Sequence, residues 1–255
     1  MLCTRCMHDE ATPDGVLCAG CATPAGFAAP QAGGAPTVRL RSPVGLGWAA
    51  AALLGVTAAV DLFALGADLY MYDVTGDLAG GETGTGVWDR SDRADMLTGV
   101  AGVAQIVATL ACAVVFVIWL WRVRRNAEVF DPDGHHKARA WVIAGWVVPI
   151  ASLWYPRRVV VDIWDASSTG DKPDGHALIN AWWTLWLLSI TVGEFLYTAF
   201  DDAHTAQEIH DSVTLAMVAD VLDLVAALLA AAVVLRLTRM QDDKARQGPA
   251  VPVAV

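Results

Sequence analysis

Two sets of residues in this chain have the types and spacing for chemistry. The first is "CTRC" at 3–6 and "CAGC" at 18–21, which together read C-x2-C-x11-C-x2-C. Each pair can form a knuckle presenting two thiolates, so Cys3, Cys6, Cys18 and Cys21 have the pattern of a tetrahedral four-cysteine zinc site. "TPDG" at 12–15 would turn the chain back between the knuckles. So short a module cannot build much core, and Zn2+ would supply its folding energy. A pair of redox dithiols is the competing reading. A closed all-cysteine site is structural rather than catalytic, and it points to anchoring or to a cytoplasmic protein partner. The fifth cysteine, Cys112, lies in an apolar run and reads as a small packing residue.

The second set is acidic. Asp61, Glu194, Asp220 and Asp223 fall inside long apolar runs, with Asp68 nearer the end of its run. A carboxylate facing lipid at mid-span costs roughly 2.5–3.5 kcal/mol, so these side chains are expected to face a protein interior. At 1.5 Å per residue, Asp61, Glu194 and Asp220 lie about 22, 21 and 20 Å from the inner face of the bilayer. None of the runs contains Lys, Arg or His to neutralise them. One reading is a cation or proton site open to the outer side, ringed by Asp201, Asp202, His204, Glu208 and His210. The other is a set of protonated carboxyls that serve only helix packing.

The elements that must carry these residues follow from the apolar pattern. Of 255 residues, 55% are hydrophobic, yet the chain has 17 Lys+Arg and 27 Asp+Glu, which suits apolar spans joined by charged loops. A net charge of -10 argues against nucleic acid as a partner. Four runs, Leu46–Leu69, Met96–Trp121, Asn180–Ala199 and Val213–Leu235, have the length to cross a hydrocarbon core. The expected architecture is all-α: four transmembrane helices in a membrane domain over 46–240. A zinc-ribbon-like module over 1–21 would precede it, joined by an Ala/Pro/Gly-rich flexible linker over 22–45, and a disordered tail would follow over 241–255.

Between the second and third runs, Trp141–Tyr155 is apolar but too short for a comfortable span and is interrupted at Pro149. If it does not cross, nearly all Lys and Arg fall on the cytoplasmic side, together with both termini; if it does, they divide about evenly. The positive-inside rule selects the first arrangement, with both ends cytoplasmic, and the expected location is the plasma membrane. Trp119, Trp121, Trp182, Trp183 and Trp186 would then form an interfacial belt. The segment is read as re-entrant or interfacial, with a long Pro-kinked helix as the alternative. After Pro156, the residues Val159, Val160, Ile163 and Trp164 share one helical face, while Arg158 and Asp162 are spaced to pair.

"WRVRRNAEVFDP" followed by "ARAWVIAGWVVPIASLWYPRRVVVDIWDAS" resembles the bacterial membrane family known as domain of unknown function 4328. The matching features are Arg124–Ala127, Gly145, Trp146, Pro149, Leu153, Trp154, Pro156, Ile163 and Trp164, with the likeness extending over roughly 46–240. The resemblance implies a multi-pass bacterial membrane protein and carries over no catalytic residues. Two functional classes remain open. One is a membrane-anchored interaction or regulatory module, which a homo-oligomer would suit. The other is a small transporter or ion-coupled protein using the intramembrane carboxylates.

Overall fold

The computed structural model describes residues 2–4, 6–8, 40–169 and 175–248. The chain divides into two compact units, Met1–Arg39 and Leu40–Val255. In the first, Cys3 is buried, Met7 has φ 57°, and the Met7 N–H donates to the Cys3 carbonyl at 2.9 Å. Cys18 and Cys21 lie outside the described residues.

The second unit contains six α-helices among its described residues: α1 Val44–Ala79, α2 Thr85–Phe130, α3 Trp141–Val147, α4 Tyr155–Ser167, α5 Ala177–Asp201 and α6 Ala206–Gln247. A single 3-10 turn, Ala151–Leu153, separates α3 from α4. Three helices, α1, α2 and α6, are long and apolar enough to cross a membrane, and they mark a membrane-embedded protein. The fourth expected run forms α5, a 25-residue helix that is not among those three. Its Trp182, Trp183, Trp186, Asn180 and Glu194 dilute its hydropathy.

The long helices extend well past a bilayer. At 46 residues, α2 is about 69 Å long against a hydrocarbon core of about 30 Å. Consequently the acidic stretch 70–95, which follows the first apolar run, is mostly helix. Arg90 holds the α1–α2 hairpin by binding Asp73 at 2.8 Å and Asp77 at 2.7 Å. Gly81, at φ 92°, makes the turn that an L side chain would resist. The start of α6 is set by a capping box: Thr205 accepts the Glu208 N–H, and Glu208 accepts the Thr205 N–H.

α1 packs along α6 and α2, and α5 packs along α6. The buried stripe of α1 is mostly small: Gly47, Ala50, Ala51, Ala58, Ala64 and Ala67. Small residues let helix backbones approach, which is how apolar helices gain contact where lipid offers no hydrophobic advantage. α6 answers with Ala219, Ala226, Ala227 and Ala230.

The segment Trp141–Tyr155 doubles back on itself. α3 has only 7 residues, about 10 Å, and Val148 leaves it with ψ 113°, the extended conformation that Pro149 imposes on its predecessor. The two ends then meet, with the rings of Trp141 and Tyr155 4.3 Å apart. Gly145 packs against this closure, with Tyr155 and Pro156 its nearest side chains. Pro156 stands in the first turn of α4, where its missing N–H costs nothing. The indole of Trp183 fastens the turn to α5 by donating to the Leu153 carbonyl at 3.0 Å.

α4 buries the face read from its spacing, Val159, Val160, Ile163 and Trp164. Its charged residues pair differently from the expected Arg158–Asp162 contact. Asp162 instead accepts the His136 N–H at 3.2 Å, and Arg157 donates to Asn180 at 3.0 Å. The tryptophan belt is also largely internal. Trp119, Trp182 and Trp183 are buried, and Trp146 enters among the rings of Phe116, Trp183 and Trp186. The doubled-back segment delivers Trp146 into the bundle, turning what would be an interfacial ring into a core.

The last helix runs past the boundary expected for the tail, to Gln247. Lys244 sustains it by donating to the carbonyls of Ala166 and Ser168 at the end of α4.

Candidate functional site: a carboxylate–amide cluster in an apolar cleft

Asp61 belongs to the buried stripe of α1, and Asp220 to that of α6. Packing α1 on α6 therefore brings the two together without any loop. They are 3% and 7% exposed. Between them stands Gln105 of α2, whose amide nitrogen donates to Asp61 Oδ1 at 3.2 Å and to Asp220 Oδ1 at 2.9 Å. One NH2 group has two hydrogens, so both donors of the Gln105 side chain are used. The remaining oxygens, Asp61 Oδ2 and Asp220 Oδ2, are buried without a hydrogen-bond partner. An uncompensated carboxylate oxygen in an apolar setting is costly.

The three residues line a cavity of about 730 Å³. Asp223 lines it too, one turn from Asp220, with Ser189 of α5 on the same wall. No Lys, Arg or His is among the lining residues. The remaining wall is apolar and aromatic: Phe116 from α2, Trp146 from α3, and Trp182 and Trp186 from α5. Trp146 also has a buried Nε1 without a partner. Among the lining residues, Ile106 and Leu110 of α2 are 62% and 63% exposed, and Ile190 of α5 is exposed as well.

Of the acidic residues singled out from sequence, the structure gathers Asp61, Asp220 and Asp223. Glu194 is exposed and does not line the cavity, so it stands apart from the group it was expected to join. Asp68 is buried on α1 but also lies off the cavity wall. Gln105, the residue that joins the pair, was not read from the sequence. Its signal was there: an amide in the middle of an apolar run is itself a buried polar group in need of partners.

The basic motif that closes α2 has a separate, structural role. Asn126 accepts the Arg41 N–H at 3.1 Å and donates to the Arg41 carbonyl at 2.8 Å and to Gln241 Oε1 at 3.1 Å. Gln241 in turn donates to the Val123 carbonyl at 2.8 Å and to Ser167 Oγ at 3.1 Å. Arg124 reaches the Lys137 carbonyl at 2.6 Å and Glu128 at 3.1 Å, and Arg139 pairs with the same glutamate. This knot ties α1, α2, α4 and α6 at one end of the bundle. In the loop after α2, burial and the neighbouring Arg124 hold His135 below the ordinary histidine range.

Among the described residues, no group of three or more His, Cys, Asp and Glu is arranged to hold a metal ion. A family model described as Domain of unknown function (DUF4328) matches residues 87–239. The chain belongs to this family. The DUF4328 match takes in Gln105, Asp220, Asp223 and the doubled-back segment with Gly145, Trp146, Pro149, Trp154, Pro156 and Trp164. Of these segment residues, only Trp146 lines the cavity; the others shape the turn and the packing of α4. α1, with Asp61, precedes the matched region, so the carboxylate pair joins a DUF4328 residue to one outside the match. No curated protein and no solved structure matches the chain.

Proposed function

We propose that this DUF4328 protein is a small ion- or proton-coupled membrane protein that uses the Asp61–Gln105–Asp220 cluster as its binding site. The observation that carries this reading is the pair of buried carboxylates sharing one amide, each with an unpartnered oxygen, in a cavity without a basic side chain. Protons or a bound cation would supply the positive charge that no side chain on the cavity wall provides. In this reading α5 is a fourth span, since 25 residues reach about 37 Å. The doubled-back Trp141–Tyr155 segment enters and leaves on the cytoplasmic side of the plasma membrane, leaving both termini there, in keeping with the distribution of Lys and Arg.

Dicyclohexylcarbodiimide tests the site, because it modifies protonated carboxyls in apolar surroundings. The expected result is an adduct at Asp61 or Asp220, found by mass spectrometry of the protein in vesicles. Slowing by added sodium would assign a cation, and indifference to sodium a proton. Absence of modification at both residues would refute the reading.

A second reading concerns the N-terminal unit, which we propose is a zinc ribbon that engages a cytoplasmic protein partner. Its support is the turn at Cys3–Cys6, where the left-handed Met7 wraps the chain back onto Cys3 directly after the second thiol. The expected zinc content is one per chain, lost in Cys3→Ser and in Cys18→Ser. Unchanged zinc in either variant would dismiss the site.

A further inference from the structure

We infer that the cleft takes an amphiphilic organic cation that enters sideways from the hydrocarbon layer. This rests on the carboxylate reading and adds the chemical class and the route of the ligand. Size is the first consideration. A proton or a bare ion needs a small fraction of 730 Å³, whereas pockets for drug-sized organic molecules occupy about 300–1,000 Å³ and are mostly apolar with a few polar groups. This cavity has that composition.

Charge selects among the molecules of that size. The walls carry Asp61, Asp220 and Asp223 with no basic residue. An organic anion would meet repulsion, and a lipid chain would leave Asp61 Oδ2 and Asp220 Oδ2 unpaired. A cation supplies the opposite charge that neither of these carries. Trp146, Trp182 and Trp186 add an aromatic wall, a lining suited to cations and to apolar bodies alike.

The route follows from the rim. Ile106 and Leu110 on α2 and Ile190 on α5 are exposed apolar side chains that also line the cavity. The mouth therefore lies in the apolar surface of the bundle. A ligand already dissolved in the bilayer reaches the carboxylates without crossing a polar vestibule.

The test uses the full chain in phosphatidylcholine vesicles and compares tetraphenylphosphonium with tetraphenylborate, two ions of similar shape and opposite charge. Tetraphenylphosphonium should bind saturably, near one per chain, and block carbodiimide modification of Asp61 and Asp220, while tetraphenylborate should do neither. Asp61→Asn and Asp220→Asn, both close to isosteric, should each weaken phosphonium binding by about tenfold or more, the loss expected when one of the negative charges facing the cation is removed. Equal binding of the two ions, or phosphonium binding untouched by both variants, would overturn the inference in favour of an apolar cleft filled by lipid or by another helix. Carbodiimide modification without saturable phosphonium binding would defeat this inference and leave the carboxylate reading standing. Loss of both would defeat both.

Discussion

Replacing Gln241 with leucine is expected to destabilise the protein by about 3 kcal/mol, because a single side chain makes three buried hydrogen bonds worth about 1 kcal/mol each. Gln241 is 1% exposed and links Asn126, the Val123 carbonyl and Ser167. These partners belong to α2 and α4, so the loss loosens two helices from α6 together. Leucine has nearly the same volume, which makes the change one of polarity rather than packing. Denaturant unfolding in detergent would measure it. Asn126→Leu should also destabilise, and the double variant should lose clearly less than the sum, since both substitutions break the same contact. Additive losses would show that Gln241 acts independently of the knot.

The second large effect is expected at Gly47. A Cβ there would stand 2.3 Å from Thr238 Oγ1 and 2.8 Å from Thr238 Cγ2. Thr238 cannot simply rotate away, because its hydroxyl accepts the indole N–H of the fully buried Trp119 at 3.0 Å. Gly47→Ala should therefore cost about 2–3 kcal/mol through overpacking of the α1–α6 seam. Two comparisons isolate the cause. Gly55→Ala, on the same helix with nothing within 4 Å of the new Cβ, should be neutral or stabilising by up to about 1 kcal/mol. In a Thr238→Ala background, where the methyl and hydroxyl are gone, the cost of Gly47→Ala should fall below about 1 kcal/mol. Equal penalties at Gly47 and Gly55 would mean that helix propensity, not close approach, governs this seam. Because the same seam holds Asp61 against Asp220, its geometry bears directly on the candidate site.

Much of the architecture was legible in the residues alone. Apolar runs of spanning length appear as α1, α2, α5 and α6, since a helix satisfies its own backbone and needs only local sequence to declare itself. The face of α4 was legible for the same reason: Val159, Val160, Ile163 and Trp164 recur at helical spacing. Pro149 announced a break that the structure places at Val148–Pro149, because proline acts on the residue before it whatever the tertiary context. That buried acids would need partners was equally plain, as desolvation is a property of the group.

Which partners they found was decided only by packing. Asp61, Gln105 and Asp220 come from three helices, and their meeting depends on the rotation and depth at which α1, α2 and α6 settle along small-residue seams. Depth along the chain put Glu194 level with Asp61, but depth says nothing of rotation, and α5 turns Glu194 outward. The tryptophans illustrate the same limit. Their positions near span ends suggested an interfacial belt, yet the doubled-back segment inserts Trp146 among them and makes them core. The sequence by itself determined the helices, the break and the cost of each buried charge, all of them local quantities. The cleft and the amide bridge within it were decided by tertiary structure, because they depend on long-range contacts that no window of residues contains.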